Sequence, residues 1–173
     1  MTRRRRRTRL PRLSRRQAIV WLVAIIALAL LPFWHTRPEA ESSAPDVYRV
    51  ERVIDGDTLL LANRCRVRLI GADTPETVKP NHPVEPWGPE ATRFTKAFVA
   101  GGEVRLEYDG PRHDKYERLL AYVWVGEKML NEELIRAGLA RARTEYPYAS
   151  TIKARFRDVE TQARSAGRGI WSP

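Results

Sequence analysis

Residues 47–70, VYRVERVIDGDTLLLANRCRVRLI, carry the reading that decides the fold. Val47–Ile54 is built mostly from β-formers and runs into Asp55-Gly56, a turn signal. Thr58–Leu61 and Cys65–Ile70 are short apolar runs on either side of Ala62-Asn63-Arg64, as in a hairpin. Cys65, lying within the second run, reads as a small buried side chain. Downstream, Gly71–Trp87 contains four prolines and reads as a loop. Gly88-Pro89-Glu90 opens a helix, with Pro at its start and an acid near the positive end of the dipole. Phe94, Ala97 and Phe98 form the apolar face of that helix, and Gly101-Gly102 ends it. Glu103–Tyr108 and Leu119–Val125 follow as strands around a polar loop, Asp109–Glu117. Asn131 is expected to cap a short helix running to Gly138. Ser150 or Thr151 starts a last helix with Ile152, Phe156, Val159 and Ala163 on one face. Five short strands, one helix between the third and fourth, and two final helices predict an α+β fold built on a partly open barrel.

Outside this block the sequence changes character. The net charge is +10, but Arg3, Arg4, Arg5, Arg6, Arg7, Arg9, Arg12, Arg15 and Arg16 account for nine of it, and no acid precedes them. The remainder is close to neutral, so overall basicity is no argument for nucleic-acid binding by the folded part. Ala18–Trp34 is continuously apolar or Pro and predicts an N-terminal hydrophobic helix. It reads as an uncleaved signal anchor, a cleaved signal peptide or a twin-arginine export signal around Ser14-Arg15-Arg16-Gln17. Each reading expects the following domain outside the cytoplasm, membrane-anchored or secreted. The expected organisation is an Arg-rich cytoplasmic tail at 1–17, the hydrophobic segment at 18–34, a linker at 35–46 and one domain at 47–173. The single cysteine excludes an internal disulfide, and no Cys/His set suits zinc.

Two acidic clusters sit at strand ends: Asp55 and Asp57, then Asp73 and Glu76. If the strands between them form a hairpin, the clusters meet, and converging carboxylates suit a hard divalent cation. Each cluster alone is better explained by turn chemistry. Arg68 leads into Asp73, and Arg118 opens the strand Leu119–Val125. A guanidinium can fork two phosphate oxygens, but a solvated strand face with Arg64 and Arg66 is the better account of Arg68 judged singly.

The ordered whole goes further. Val-Ile-Asp-Gly-Asp-Thr (53–58), Arg-Leu-Ile-Gly-Ala-Asp-Thr-Pro-Glu-Thr (68–77), Trp-Gly-Pro-Glu-Ala (87–91), Asp-Lys-Tyr-Glu-Arg (114–118), Leu-Ala-Tyr (120–122), the run 129–140 and Gly-Ile-Trp (169–171) together resemble the staphylococcal nuclease (thermonuclease) family. The resemblance covers roughly Val53–Trp171. It implies an oligonucleotide-binding-type barrel and a Ca²⁺-dependent endonuclease acting on DNA and RNA. In such enzymes water attacks phosphorus, the 5′-oxygen leaves, and 3′-phosphate ends result. Position by position it implies Asp57 and Asp73 as Ca²⁺ ligands by side chain and Thr74 by its carbonyl, with Asp55 supporting them from behind. Glu76 would hold or deprotonate the attacking water. Arg68 and Arg118 would clamp the phosphate, and Lys115, Tyr116 and Tyr146 would bind the substrate.

Two positions depart from that pattern. Glu117 stands where the family commonly has Gly, and Thr144 where it has a base-stacking aromatic, for which Tyr148 is the candidate substitute. The competing expectation is a non-catalytic nucleic-acid-binding or protein-interaction module on the same barrel.

Overall fold

The computed structural model describes residues 46–80 and 82–173. β1 (Val47–Asp55), β2 (Thr58–Leu61) and β3 (Arg66–Leu69) form an antiparallel meander, followed by a two-residue strand β4 (Ala72–Asp73). Helix α1 (Gly88–Phe98) precedes β5 (Glu103–Glu107) and β6 (Leu119–Val125). The short β7 (Lys128–Met129), α2 (Leu130–Arg136), β8 (Arg141–Ala142) and α3 (Ser150–Ser165) complete the chain, with a 3-10 turn at Gly169–Trp171. The sheet order is β3-β2-β1-β5-β6-β7, and a further β3–β6 pairing closes it. The result is the expected five-stranded barrel with three helices. β4 pairs separately with β8.

Closure explains how distant arginines meet. β3 and β6 run parallel, with Val67 opposite Leu119 and Arg68 opposite Leu120. Arg118, one residue before β6, therefore enters the barrel wall beside β3. Along β3 the pattern alternates: Val67 and Leu69 are buried in the core while Arg66 and Arg68 face the other way. Two irregularities in the β1–β2 register, between Val50 and Arg52 and between Val53 and Asp55, bend the ribbon just before the acidic turn.

Asn131 does not cap α2. It is fully buried within the helix, where its Oδ1 accepts from the Val123 amide at 2.9 Å and its Nδ2 donates to the Ile70 and Ala121 carbonyls at 2.8 and 3.3 Å. This one side chain ties the exit of β3 to the middle of β6, and it meets the requirement that buried polar groups be paired. α3 buries Phe156, Val159 and Ala163 as the periodicity predicts, with Ile152 at the margin. Phe156 packs edge-on against Tyr122 at 6.3 Å between ring centroids, and Tyr148 lies 6.3 Å from Phe156 and 6.4 Å from Tyr122. Burying a side chain such as Phe156 contributes roughly 1.5–3 kcal/mol, so this cluster docks the helix. α3 has no side-chain cap of its own. Instead Asp109 Oδ2 accepts from the Ala149 amide and the Tyr122 hydroxyl, both at 2.8 Å.

Four expectations are corrected here. On α1, Ala97 is exposed, and the buried face is Ala91, Thr95 and Val99 flanked by Phe94 and Phe98. Thr95 is tolerated inside because its hydroxyl donates to the Gly56 carbonyl at 2.5 Å. Cys65 is exposed, since it closes a turn in which its amide donates to Asn63 Oδ1 and its carbonyl accepts from the Leu61 amide. Tyr148 is buried, with its hydroxyl donating to the Arg143 carbonyl, so it cannot present a stacking face to a base. The expectation of a membrane-anchored chain with a transmembrane helix is overturned among the described residues, where no helix is long and apolar enough to cross a membrane. The helices span 11, 7 and 16 residues, against about 20 needed for the hydrocarbon core. The apolar stretch 18–34, on which that expectation and its localisation rested, lies outside the described residues.

Candidate active site

The β1–β2 turn and the segment after β4 are pressed together by side-chain hydrogen bonds. Asp57, at the turn, accepts on Oδ2 from the Thr74 amide at 2.9 Å and the Thr74 hydroxyl at 3.0 Å. Its Oδ1 accepts from the Thr58 hydroxyl at 3.0 Å. Gly56 is required there by space: a Cβ would lie 2.8 Å from the Ala91 Cβ and from the Thr74 hydroxyl oxygen. Asp55 Oδ1 accepts from the Gly56 amide at 2.7 Å and the Thr77 hydroxyl at 2.8 Å. Burial pushes the Asp55 carboxyl up, the Thr77 and Gly56 hydrogen bonds oppose this, and neighbouring Glu76 adds to the rise.

Glu76 is held differently. Its Oε1 accepts from three consecutive amides, those of Thr77, Val78 and Lys79, at 3.0, 2.9 and 3.1 Å. Burial opposes ionisation, but the hydrogen bonds from these amides and from Asp55 hold the carboxyl below its ordinary value. The same pair contact therefore acts in opposite senses, raising the Asp55 carboxyl and lowering that of Glu76.

Arg68 joins the two acidic segments. Its Nη1 pairs with Asp57 Oδ2, and its Nη2 donates to Asp73 Oδ1 at 2.5 Å. Its side chain is only 18% exposed. Burial lowers its proton affinity, the Asp73 charge raises it, and the nearby Arg118 charge lowers it again. The cation between the two carboxylates is this guanidinium. The expected Ca²⁺ site of Asp57, Asp73 and the Thr74 carbonyl is corrected accordingly. Among the described residues no group of three or more His, Cys, Asp or Glu side chains is arranged to hold a metal ion. The carboxylate oxygens that would face the ion already take donors from Arg68 and Thr74, so these residues do not fit a calcium ligand set.

Arg118 is anchored by its own loop. Asp114 Oδ1 accepts from the Tyr116 and Arg118 amides at 2.8 and 3.0 Å, while Oδ2 takes Arg118 Nε at 2.7 Å and lies 2.6 Å from Nη2. Burial works against the Asp114 charge, but the Arg118 amide and guanidinium and the Tyr116 amide hold its carboxyl below the ordinary value. Arg66 Nη2 donates to the Tyr116 carbonyl at 3.0 Å and pins the loop to β3. Glu117 occupies left-handed backbone at φ 58°, a conformation suited to Gly.

Arg68, Asp73, Asp114, Lys115, Tyr116, Arg118 and Tyr146 line one cleft of about 550 Å³. Tyr116 and Tyr146 are more than half exposed, so their ring faces are open to a ligand. Lys115 Nζ lies 5.0 Å from the Tyr116 ring centre and Arg118 5.5 Å from it. Asp55, Asp57, Thr74 and Glu76 do not line this cleft; Thr74 borders a second one of about 400 Å³ together with Asp73. Asp114 and Arg143 are among the lining residues that escaped the sequence reading. Asp114 carried a usable signal, an Asx turn three residues ahead of Glu117. Arg143 carried none, because its place depends on the β4–β8 pairing.

A cationic cleft with aromatic walls on a small barrel suits an anionic, base-bearing polymer. Comparison with known proteins agrees. Residues 66–173 match the family model described as "Staphylococcal nuclease homologue". The chain is 42% identical over 164 residues to the thermonuclease of Staphylococcus hyicus, covering 89% of this chain and 95% of that protein. It is 43% identical over 159 residues to the thermonuclease of Staphylococcus intermedius, covering 87% and 94%. It is 42% identical over 127 residues to endonuclease YncB of Bacillus subtilis (strain 168), covering 71% and 60%. With two curated relatives matched almost end to end, the chain belongs to the staphylococcal nuclease homologue family and is a hydrolase of the endonuclease type.

Proposed function

We propose that the enzyme hydrolyses internal phosphodiester bonds of DNA and RNA, with water attacking phosphorus and the 5′-oxygen leaving to give 3′-phosphate ends. The observation that carries this reading is the meeting of Arg68 and Arg118, from separate strands, in one cleft beside two exposed tyrosines. Attack on a phosphodiester builds extra negative charge on the phosphoryl oxygens. Fixed guanidinium groups aimed there stabilise the transition state more than the ground state. Arg68 is preorganised by Asp57 and Asp73, and Arg118 by Asp114, so little reorganisation accompanies the reaction. Lys115 and Tyr116 would hold a flanking phosphate and sugar, and Tyr146 would stack on a base. Glu76, expected from the resemblance to hold or deprotonate the attacking water, stands outside the cleft with its Oε1 taken by three amides, and no step is assigned to it.

The test is to incubate the full-length protein with end-labelled single- and double-stranded DNA and RNA, with and without added divalent cations, and to identify product termini. Internal cuts whose 3′ ends support polymerase extension only after phosphatase treatment are expected. Products bearing 5′-phosphate and a free 3′-hydroxyl would reverse the leaving-group assignment.

A further inference from the structure

Arg143 is a third guanidinium in the cleft, and neither the strand pattern nor the phosphate clamp accounts for it. Its backbone is held on both sides: the amide donates to the Gly71 carbonyl at 2.9 Å, and the carbonyl accepts from the Tyr148 hydroxyl at 2.9 Å. Gly71 is itself at φ +70°, and a Cβ there would lie 2.6 Å from that hydroxyl, so this junction admits no side chain. The root of Arg143 is thus fixed to the buried aromatic cluster, while its side chain remains 41% exposed. The guanidinium approaches the Asp73 oxygen that Arg68 does not bond. Arg143 Nη1 lies 3.6 Å from Asp73 Oδ2, whereas Arg68 Nη2 bonds Oδ1. Its Nε lies 2.8 Å from Glu145 Oε1. Two guanidinium groups share one carboxylate, and Arg143 sits on the segment that carries Tyr146. Five N–H donors exceed what two carboxylate oxygens and the neighbouring Tyr146 hydroxyl can use, so donors remain for a ligand.

We infer that Arg143 binds the substrate phosphate flanking the scissile one, next to the base stacked on Tyr146, and thereby sets affinity for the strand. This rests on the phosphodiesterase reading above. A flanking contact acts on ground state and transition state alike, so it lowers KM and leaves kcat nearly unchanged.

The experiment measures steady-state cleavage of a short fluorescent single-stranded DNA by the full-length protein, at several salt concentrations. Arg143→Gln should raise KM about 5-fold, as for a partly exposed charge contact, with kcat within about 2-fold. The slope of log(1/KM) against log[salt] should become shallower by about 0.7, the value for one lost phosphate contact on a single strand. Arg143→Lys should keep the slope. An unchanged KM and slope, or a loss confined to kcat, would overturn the inference. Should Arg143→Gln fail to fold, Glu145→Gln removes a carboxylate competing for the same guanidinium. It should lower KM about 2-fold by the same reasoning, and an unchanged KM counts against Arg143. A wild-type chain that cleaves no substrate would instead overturn the phosphodiesterase reading. Fluorescence anisotropy with the same strand then tests Arg143 separately, and equal affinity of wild type and Arg143→Gln would reject it.

Discussion

Arg68 and Arg118 line the same cleft, yet they are anchored in different ways. Arg68 projects from the middle of the barrel wall, and its partners Asp57 and Asp73 come from other segments. Asp57 is buried and depends on that guanidinium for neutralisation. Arg118 is anchored four residues back in its own loop, by a carboxylate that also organises the loop amides. Under the proposed phosphate clamp, Arg68 would couple catalysis to folding, whereas Arg118 would leave the two separable. The difference follows from what remains after removal: an almost fully buried carboxylate without a counter-charge in one case, and in the other a partly exposed loop acid that keeps two amide donors.

This contrast can be broken by mutation. Arg68→Ala should destabilise the protein by roughly 3–5 kcal/mol, because it leaves buried Asp57 without its counter-charge, and should abolish cleavage as well. Urea unfolding followed by circular dichroism checks the first half, and a midpoint equal to wild type would refute it. Arg118→Lys should reduce kcat by about 10²–10³-fold, since Lys cannot fork the phosphate oxygens. Its unfolding midpoint should stay near wild type; a large loss of stability would erase the distinction from Arg68.

Asp114 offers a subtler test. Its folded-state proton affinity lies below the unfolded value, so it contributes stability that is present above about pH 4 and is lost as pH falls through its folded pKa. Asp114→Asn should flatten that acid limb of the stability curve, measured by denaturant midpoints from pH 6 to pH 2. An unchanged limb would mean the loop contributes nothing to acid stability. The smallest effect is expected at Glu117, where a non-glycine residue is held at φ 58°. Glu117→Gly should stabilise the protein by about 0.5–1 kcal/mol by relieving that conformation. It also removes a carboxylate beside Arg118, so KM should fall slightly. Loss of stability would show that Glu117 makes a compensating contact.

Much of the fold was legible because burial imposes period on sequence. β6 spans Leu119–Val125 as its apolar run predicts, and the stripe on α3 is buried where the spacing places it. The errors cluster where polar residues are satisfied at long range. Asn131 looks like a cap and is a buried bridge between strands. Thr95, left unnamed beside the expected apolar face, is a buried donor to the barrel turn. The strands β4, β7 and β8, of two residues each, are too short to carry a period.

Arg68, Lys115, Tyr116, Arg118 and Tyr146 could be named as a set only through the resemblance of the ordered motifs, since a residue such as Arg68 judged alone reads as part of a solvated strand face. The sequence alone also determined the family, the barrel and the class of reaction. Only the tertiary structure decided which charges neutralise which. It put Arg68 between Asp57 and Asp73, kept Asp57 and Glu76 out of the cleft, and added Arg143 through the β4–β8 ladder. The reason is physical. Propensity and periodicity act over a few residues, whereas the pairing of a buried charge depends on which groups closure of the barrel brings within reach.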